Sequence, residues 1–382
     1  MNRRFKKWKI TAFFILIFSS VALKAAWCDT ADLDEKQIAG IIQSVYDERC
    51  KAMISGDWKA LRECYDTSRK YALWSFEHEA KRIKYLHDWS EARGIKLIDI
   101  KSSVYLGKIT KKDGMYSVFL TETYKFEYIY KDDINQTVNT FGTGVRHNVG
   151  LVNKDDKWLL SKDWYTDFLQ EALYSYSGMY VGAGSELTAP ASKVKSQNSK
   201  YDREKAAQYA DKYCGIAWGS GNDFKYNSKY QDYNGIGGDC TNYVSQCIGD
   251  KEEGGGIPFD GTWFATYPKY GKAQGSAAFV NANAFWNYIL YSGKGRLIKK
   301  GTYKELTKPI EDYPIGIVGK IEVGDLLCYE KDGKIDHFSI ITAKDSKGYP
   351  MINSHTSDRY HVPFDFGWSE KFTKFHLIHI GY

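Results

Sequence analysis

The chain has 382 residues, of which 43% are apolar and 26% are charged. These values are typical of a globular protein that is long enough for two domains. The formal net charge is +6, but residues 1–26 carry six basic and no acidic side chains, so the rest of the chain is formally neutral. We therefore expect no nucleic-acid partner, because binding to a phosphate backbone needs a basic surface.

The N-terminus has the three-part pattern of a secretory signal peptide. Basic residues in positions 3–9 precede an apolar run over 10–23, and the small residues Ala25 and Ala26 follow. The run is shorter than the ~20 residues that a membrane-spanning helix needs. We predict cleavage of residues 1–26 and a secreted, extracellular or cell-wall-associated protein. If the segment stayed uncleaved, it would anchor the protein in the membrane.

Residues 30–173 read as an α+β accessory domain. Apolar residues recur with helical spacing over 34–93, and the period changes to two beyond Gly94. The pairs at 113–114 and 155–156 predict hairpin turns. This order predicts helices on one face of a curved antiparallel sheet, and it resembles the cone-shaped fold of nuclear-transport-factor-like and cystatin-like domains. We see no clustered carboxylates or metal-ligand spacing, so we interpret the domain as a binding or spacing module.

Small polar residues over 174–200 predict a linker to a second domain, 201–382. This domain opens with a predicted helix over 202–213. A second helix is predicted over 283–291, and antiparallel strands are predicted from 321 to the C-terminus. A helix that bears a cysteine, followed by an antiparallel sheet that bears a histidine, is the order of a papain-like fold.

Cys240 is the candidate nucleophile. It follows Gly237 and Gly238, which allow a tight turn, and it begins a predicted helix. A thiol at a helix N-terminus is expected to have a lowered pKa, because the helix dipole and the free N–H groups favour the thiolate. The same N–H groups would stabilise the oxyanion of an attacked amide. The pattern therefore predicts a cysteine hydrolase.

A thiol nucleophile needs a base and a group that orients the base. His337, at the start of a strand after a tight hairpin, is the predicted base. His355 and Asn353 share one face of a later strand, and either could orient the imidazole; we favour His355. Asn234, six residues before the cysteine, is the candidate for completing an oxyanion site. We expect no metal site and no cofactor.

Seven cysteines follow the signal segment, and an odd count leaves at least one unpaired. Cys50 and Cys64 flank a short turn between two predicted helices and are the first candidate disulfide. The alternative is that all of the cysteines are buried free thiols. Asp239 would oppose thiolate formation if it faced the sulfur, so we expect it to point elsewhere and to cap the helix.

The C-terminal half carries a family resemblance in residues 226–230, 237–246, 324–327, 336–337 and 355–358. Together they resemble the putative amidase domain family of exported bacterial proteins, within the papain-like group that includes NlpC-type and CHAP cell-wall hydrolases. The resemblance implies that Cys240 is the nucleophile, that His337 is the base and that His355 takes the third position. Residues 230–233 depart from the usual proline-containing version of their loop.

The function that we predict is a secreted thiol amidase or peptidase that hydrolyses peptide or peptidoglycan-like amides of the cell wall. Two alternatives use the same fold. One is a non-catalytic cell-surface binding protein, and the other is a transglutaminase-like acyl transferase that passes the acyl group to an amine. The reactivity of Cys240 distinguishes the first, and a coupled amine product distinguishes the second.

Overall fold

The computed structural model describes residues 32–174 and 200–382. The predicted signal segment and all but the ends of the predicted linker lie outside these residues. The described helices are α1 (Glu35–Ser55), α2 (Lys59–Arg62), α3 (Lys70–Arg93), α4 (Gln170–Tyr174), α5 (Arg203–Lys212), α6 (Cys240–Gly249), α7 (Ala277–Val280), α8 (Ala282–Tyr291) and α9 (Tyr303–Leu306). The strands are β1 (Ile95–Lys112), β2 (Met115–Tyr130), β3 (Asn139–Lys154), β4 (Lys157–Tyr165), β5 (Ala265–Thr266), β6 (Gln274–Gly275), β7 (Gly295–Gly301), β8 (Leu326–Lys331), β9 (Lys334–Lys344), β10 (Pro350–Ser354), β11 (Asp358–Pro363) and β12 (Thr373–Ile380).

The N-terminal elements follow the predicted order of helices and then a meander. Helices α1 and α3 pack against the sheet of strands β1–β4, in which each strand pairs antiparallel with the next along the chain. The turn residues Asp113, Asp155 and Asp156 all have positive φ, which suits the tight hairpins expected there. The predicted α+β architecture with an antiparallel sheet is confirmed for this part of the chain.

One large antiparallel sheet runs through both halves of the protein. Its strand order is β1-β2-β3-β11-β10-β9-β8-β12-β7, and β4 also pairs with β3. The seam is the pairing of β3 with β11, where Gly142 lies opposite Tyr360 and Gly144 opposite Asp358. Residues 35–382 belong to one compact unit. The strands of the N-terminal region are therefore joined to those of the C-terminal region through a continuous ladder of backbone hydrogen bonds.

The glycines at the seam have a steric reason. The loop after α5 crosses β3 so closely that a Cβ on Gly142 would lie 2.2 Å from the carbonyl oxygen of Trp218, and one on Gly144 would lie 2.3 Å from that of Ile216. Contacts this short do not occur between real atoms, so only glycine fits. The sequence of β3 is thus adapted to a loop of the other half.

The C-terminal half packs helices α5, α6 and α8 on one face of β8–β10 and β12. The predicted helices over 202–213 and 283–291 are confirmed as α5 and α8, and Asp202 caps α5 by accepting from the amide of Lys205. The core between helices and strands contains Val244 and Cys247 of α6 together with Cys328 and Phe338 of the sheet. This packing presses the first turn of α6 against strand β9.

The interior of the N-terminal half is charged, which corrects the expectation of no clustered carboxylates. Arg49 is fully buried and pairs with Glu79, Glu122 and Asp163, which are also buried. His147 lies 2.7 Å from Asp163 and 3.0 Å from Glu122, and these carboxylates raise its pKa against the effect of burial. These residues are far apart in the sequence, so only the fold reveals the cluster.

The six described cysteines are all free, so the candidate disulfide between Cys50 and Cys64 is not formed. Cys50 is buried on α1, and the Cys64 thiol donates to the carbonyl oxygen of Ala60 at 3.6 Å. In the part of the chain that the structure describes, no helix combines the length and the apolar character that crossing a membrane requires.

Candidate active site

The turn before α6 is built as the sequence predicts. Gly237 and Gly238 have φ values of 129° and 103°, which are accessible to glycine and strained for other residues. Behind this turn, the Asp239 amide donates to Thr356 Oγ1 at 2.8 Å. The turn thus ties the start of α6 to the segment after β10, and Cys240 becomes the first helical residue.

Cys240 is almost completely buried, and only 8% of the residue is exposed. The backbone N–H groups of Phe338 and Thr241 lie beside the sulfur, the Thr241 hydroxyl lies 3.7 Å from it, and all three groups act to lower the pKa of the thiol. Burial and the negative charge of Asp336 act in the opposite direction, and burial is the largest influence. The pKa of Cys240 is raised, so the predicted lowering of this pKa is wrong for the buried thiol.

His337 and Cys240 share no hydrogen bond in the structure described here. The imidazole centroid lies 5.5 Å from the Tyr329 ring and 5.6 Å from the Trp368 ring, and the residue is 9% exposed. Tyr329 is the cross-strand partner of His337, whereas the next pair, Cys328 and Phe338, faces the core around α6. Burial lowers the pKa of His337 to about 3, and the nearby charges of Arg359 and His355 add to this effect. The ring is therefore neutral.

His355 is engaged by two acceptors. Its Nδ1 lies 2.6 Å from Asp239 Oδ2, and its Nε2 lies 2.7 Å from the carbonyl oxygen of Tyr213. Because both ring nitrogens face acceptors, the imidazolium form fits best, and the hydrogen bond to Asp239 raises the pKa of His355 despite burial. The ring also stacks on Tyr243 with a centroid distance of 3.8 Å. Neither nitrogen is left to orient His337.

Asp239 also differs from its expected role. Its side chain makes no cap hydrogen bond to α6. Instead Oδ1 accepts from the Tyr233 amide at 2.9 Å and from Asn242 Nδ2 at 2.8 Å, while Oδ2 binds His355. The carboxylate therefore holds the loop before the nucleophile, the first turn of α6 and the end of β10 together.

The two amide candidates are occupied elsewhere. Asn353 donates to Asp211 Oδ1 at 2.9 Å and accepts from Thr342 Oγ1 at 2.9 Å, on the helix-bearing side of the sheet. Asn234 donates its side-chain amide to Asp232 Oδ1 at 2.9 Å. The structure therefore brings neither group to the sulfur. The groups beside the sulfur are the Thr241 hydroxyl, at 3.7 Å, and the backbone amides of Phe338 and Thr241.

Asp336 is a residue near the thiol whose effect on Cys240 the sequence did not reveal. The register of β8 and β9 shifts between the pairs Tyr329–His337 and Glu330–Ile335, so Asp336 is the extra residue of a bulge. Its charge acts on Cys240, and burial raises the pKa of Asp336 itself. A bulge inverts which residues face the helix, and the pattern around Asp336 carries no signal that predicts it.

Glu322, Asp325 and His379 are the one group of three among the described residues whose ligand atoms lie close enough together for a metal ion. Arg203 already provides a cation there, because it donates to Asp325 Oδ1 at 2.7 Å and reaches the His379 ring. The charges of this group are therefore balanced as an ion cluster.

The C-terminal half is similar to a known protein family. Residues 200–378 match the family model of the putative amidase domain. The match covers the α6 turn, His337 and His355 and confirms the predicted resemblance for this region. At the family level it indicates amide hydrolysis.

Among curated proteins, the chain is 27% identical over 168 residues to the uncharacterized protein YhbB of Bacillus subtilis (strain 168). The match spans 42% of this chain and 42% of that relative, so this chain covers less than half of the relative's length.

Two solved structures are similar in part. The intermembrane space region of chloroplast protein ARC6 is 11% identical, with 35% of this chain and 97% of that chain covered and a TM-score of 0.26. An NTF2-like transpeptidase described as putative, from Campylobacter jejuni, is 16% identical, with 32% and 94% covered and a TM-score of 0.17. Because both TM-scores are low, no further argument rests on them.

Proposed function

We propose that the protein is a secreted cysteine amidase or peptidase of papain-like design that hydrolyses peptide amides of the cell wall. The observation that carries the proposal is the position of Cys240. It is the first residue of α6, the Thr241 hydroxyl and the backbone N–H groups of Phe338 and Thr241 lie beside its sulfur, and it lies within the region that matches the amidase family. The N–H donors beside the sulfur would stabilise the thiolate, which is the nucleophilic form, once a base takes the proton of the thiol.

The proposed reaction has two halves. As the Cys240 sulfur bonds to the carbonyl carbon, the thiol proton passes to His337, and the carbonyl oxygen takes up negative charge beside the N–H donors. The C–N bond then breaks, and the imidazolium returns its proton to the leaving amine. Water, deprotonated by His337, attacks the thioester, and its proton goes back to the sulfur as the acid product leaves.

His337 has to turn toward the sulfur for this reaction. Because His337 and Phe338 point to opposite faces of β9, a change of side-chain rotamer alone does not bring the imidazole to the sulfur, and the reaction also needs the backbone to move at the Asp336 bulge. In the resting arrangement both groups are neutral, so substrate binding would bring the pair together rather than find a preformed thiolate.

His355 has a positioning role in this proposal. Through Asp239 it fixes the turn that places Cys240 at the start of α6, and it does not exchange protons with substrate. The acyl-transferase alternative uses the same thiol and differs only in the acceptor of the acyl group, so an amine offered during turnover distinguishes the two.

The test uses a digest of bacterial cell wall in ¹⁸O-labelled water, with mass spectrometry of the products. Hydrolysis of an amide places one labelled oxygen in the new carboxylate. We expect cleavage by the wild type, none by Cys240→Ala, and unchanged cleavage by Cys247→Ala, which removes a fully buried thiol of the same helix. Cleavage by Cys240→Ala at the wild-type rate would overturn the thiol mechanism. No cleavage by the wild type would overturn the cell-wall substrate.

A further inference from the structure

Thr356, in the turn between β10 and β11, has a backbone conformation that threonine rarely adopts. Its φ is 74°, which lies in the left-handed region. Glycine and asparagine are the usual residues there, and a β-branched residue is strained because its side chain crowds the backbone. Thr356 is also exposed, so packing in a core does not explain why threonine occupies this position.

The turn is fixed on both sides of the strained residue. His355, immediately before Thr356, forms hydrogen bonds through both ring nitrogens. Asp358, two residues after it, accepts from the Ile216 amide at 2.9 Å and pairs with Gly144 of β3. A strained conformation persists only where the surrounding structure holds it. The seam between the two halves therefore helps to hold Thr356 in this conformation.

The hydroxyl of Thr356 holds the residue before the nucleophile. Its Oγ1 accepts from the Asp239 amide at 2.8 Å, whereas the Gly238 amide donates to the Tyr233 carbonyl oxygen at the longer distance of 3.3 Å. The hydrogen bonds of the Asp239 carboxylate fix its side chain, but the bond to Thr356 fixes its peptide plane. Because the preceding glycines have no side chains to restrain the backbone, the entry into α6 at Cys240 depends on this hydroxyl.

We propose that Thr356 is a positioning residue for Cys240, whose hydroxyl fixes the Asp239 peptide and whose strained backbone places the hydroxyl there. The proposal rests on the proposed function, because it gives Cys240 the reacting role. Glycine suits the conformation of this turn better than threonine, but it would release the start of α6. The N-terminal half supports the site by holding the turn through the seam.

The test compares Thr356→Gly, which removes both the hydroxyl and the strain, with Thr356→Ser, which keeps the hydroxyl. Ser357→Gly is the matched control. It places a glycine in the same turn, and the hydrogen bond that Ser357 accepts from Ser354 uses its carbonyl oxygen, which the substitution keeps.

The first measurement is the rate at which iodoacetamide labels Cys240 at pH 7.5, divided by the rate at pH 10. This ratio reports how far burial raises the pKa of the thiol. We expect the ratio to rise about threefold in Thr356→Gly, because a released helix start exposes the sulfur and a less buried thiol ionises at lower pH. Thr356→Ser and Ser357→Gly should keep the wild-type ratio.

Urea unfolding and cleavage of the cell-wall digest separate positioning from a structural role. Thr356→Gly should unfold at the urea concentration of the wild type or above it, because the relief of strain offsets the lost hydrogen bond. Its cleavage of the digest should nevertheless fall by about tenfold or more, because the nucleophile is misplaced. Thr356→Ser should restore cleavage.

If the labelling ratio and the cleavage are unchanged in Thr356→Gly, or if Thr356→Ser behaves like Thr356→Gly, the proposal is wrong while the proposed function stands. Unfolding of Thr356→Gly well below the urea concentration of the wild type would give the residue a structural role and would also overturn the proposal. If the wild type cleaves nothing in the digest, the proposed function fails, and the labelling ratio alone decides whether Thr356 positions the thiol.

Discussion

The buried pair of Asp239 and His355 provides the sharpest test of the site's architecture. Both residues are at most 2% exposed, and Asp239 accepts three hydrogen bonds, from His355, the Tyr233 amide and Asn242. Asp239→Ala would leave a buried imidazolium and two further donors without an acceptor. Removing one partner of a buried ion pair costs about 3–5 kcal/mol, which is a large part of the total stability of a typical domain.

Urea unfolding followed by tryptophan fluorescence at pH 6 measures this cost. Asp232→Ala is the matched control, because Asp232 is a half-buried loop carboxylate that accepts only from Asn234, and its loss should cost about 1 kcal/mol. The pKa of His355 is raised in the folded state, so the pair's contribution is fully present below about pH 6.5 and is lost as the pH rises through the folded value. The cost of Asp239→Ala should therefore shrink at alkaline pH. Equal losses in the two variants, or a loss that does not change with pH, would refute the pairing.

Three further outcomes follow from the structure. Gly144→Ala should lower the free energy of unfolding by roughly 1–3 kcal/mol, because the new Cβ would meet the carbonyl of Ile216. Gly40→Ala, in an open position inside α1, should raise the free energy of unfolding by about 0.5–1 kcal/mol. Urea unfolding measures both changes, and changes of the same sign would contradict this prediction. Arg49→Met should cost about 3–5 kcal/mol, because it removes the cation that Glu79, Glu122 and Asp163 share and leaves Arg82 and His147 as their remaining partners. Lys51→Ala on the same helix should leave the stability nearly unchanged, because Lys51 pairs with Glu48 at the surface. Urea unfolding measures both, and similar values for the two variants would show that the charged interior is not held as described. Burial lowers the pKa of His337 to about 3, so its contribution to the free energy of unfolding is present above about pH 6.5 and is lost as the pH falls. Relative to His337→Gln, the wild type should therefore lose about 2 kcal/mol of that free energy between pH 7.5 and pH 5. Parallel pH profiles of the two proteins would mean that the imidazole is not buried.

Local signals predicted the elements well. Aspartate-containing turns ended the strands of both halves, and Gly237 and Gly238 marked the turn before the nucleophile. The pairing of β3 with β11 was not predictable in this way, since it joins residues more than 200 positions apart through backbone groups that any sequence carries. Within β3, the glycines are the sequence feature that reflects this pairing, and the reason for them becomes clear only from the loop that crosses the strand.

In the candidate site, too, the features that depend on adjacent residues were predictable and the long-range contacts were not. The position of Cys240 at a helix start depends on adjacent residues and was predictable. The partner of His355 is 116 positions away, and the direction of His337 depends on a bulge at Asp336, where a shift of one residue reverses the face that each side chain meets. The pKa of Cys240 depends on packing against β9, which composition does not reveal.

The most direct test of the central claim is alkylation of the protein by iodoacetamide from pH 6 to pH 10, with the modified cysteines located by peptide mass spectrometry. Cys240 is 8% exposed and Cys247, on the same helix, is fully buried, so each experiment contains its own comparison. The account predicts that Cys240 is labelled well before Cys247, at a rate that keeps rising at high pH because burial raises the pKa of its thiol. Labelling of Cys240 that is no faster than that of Cys247 at any pH would contradict the assignment of Cys240 as the nucleophile.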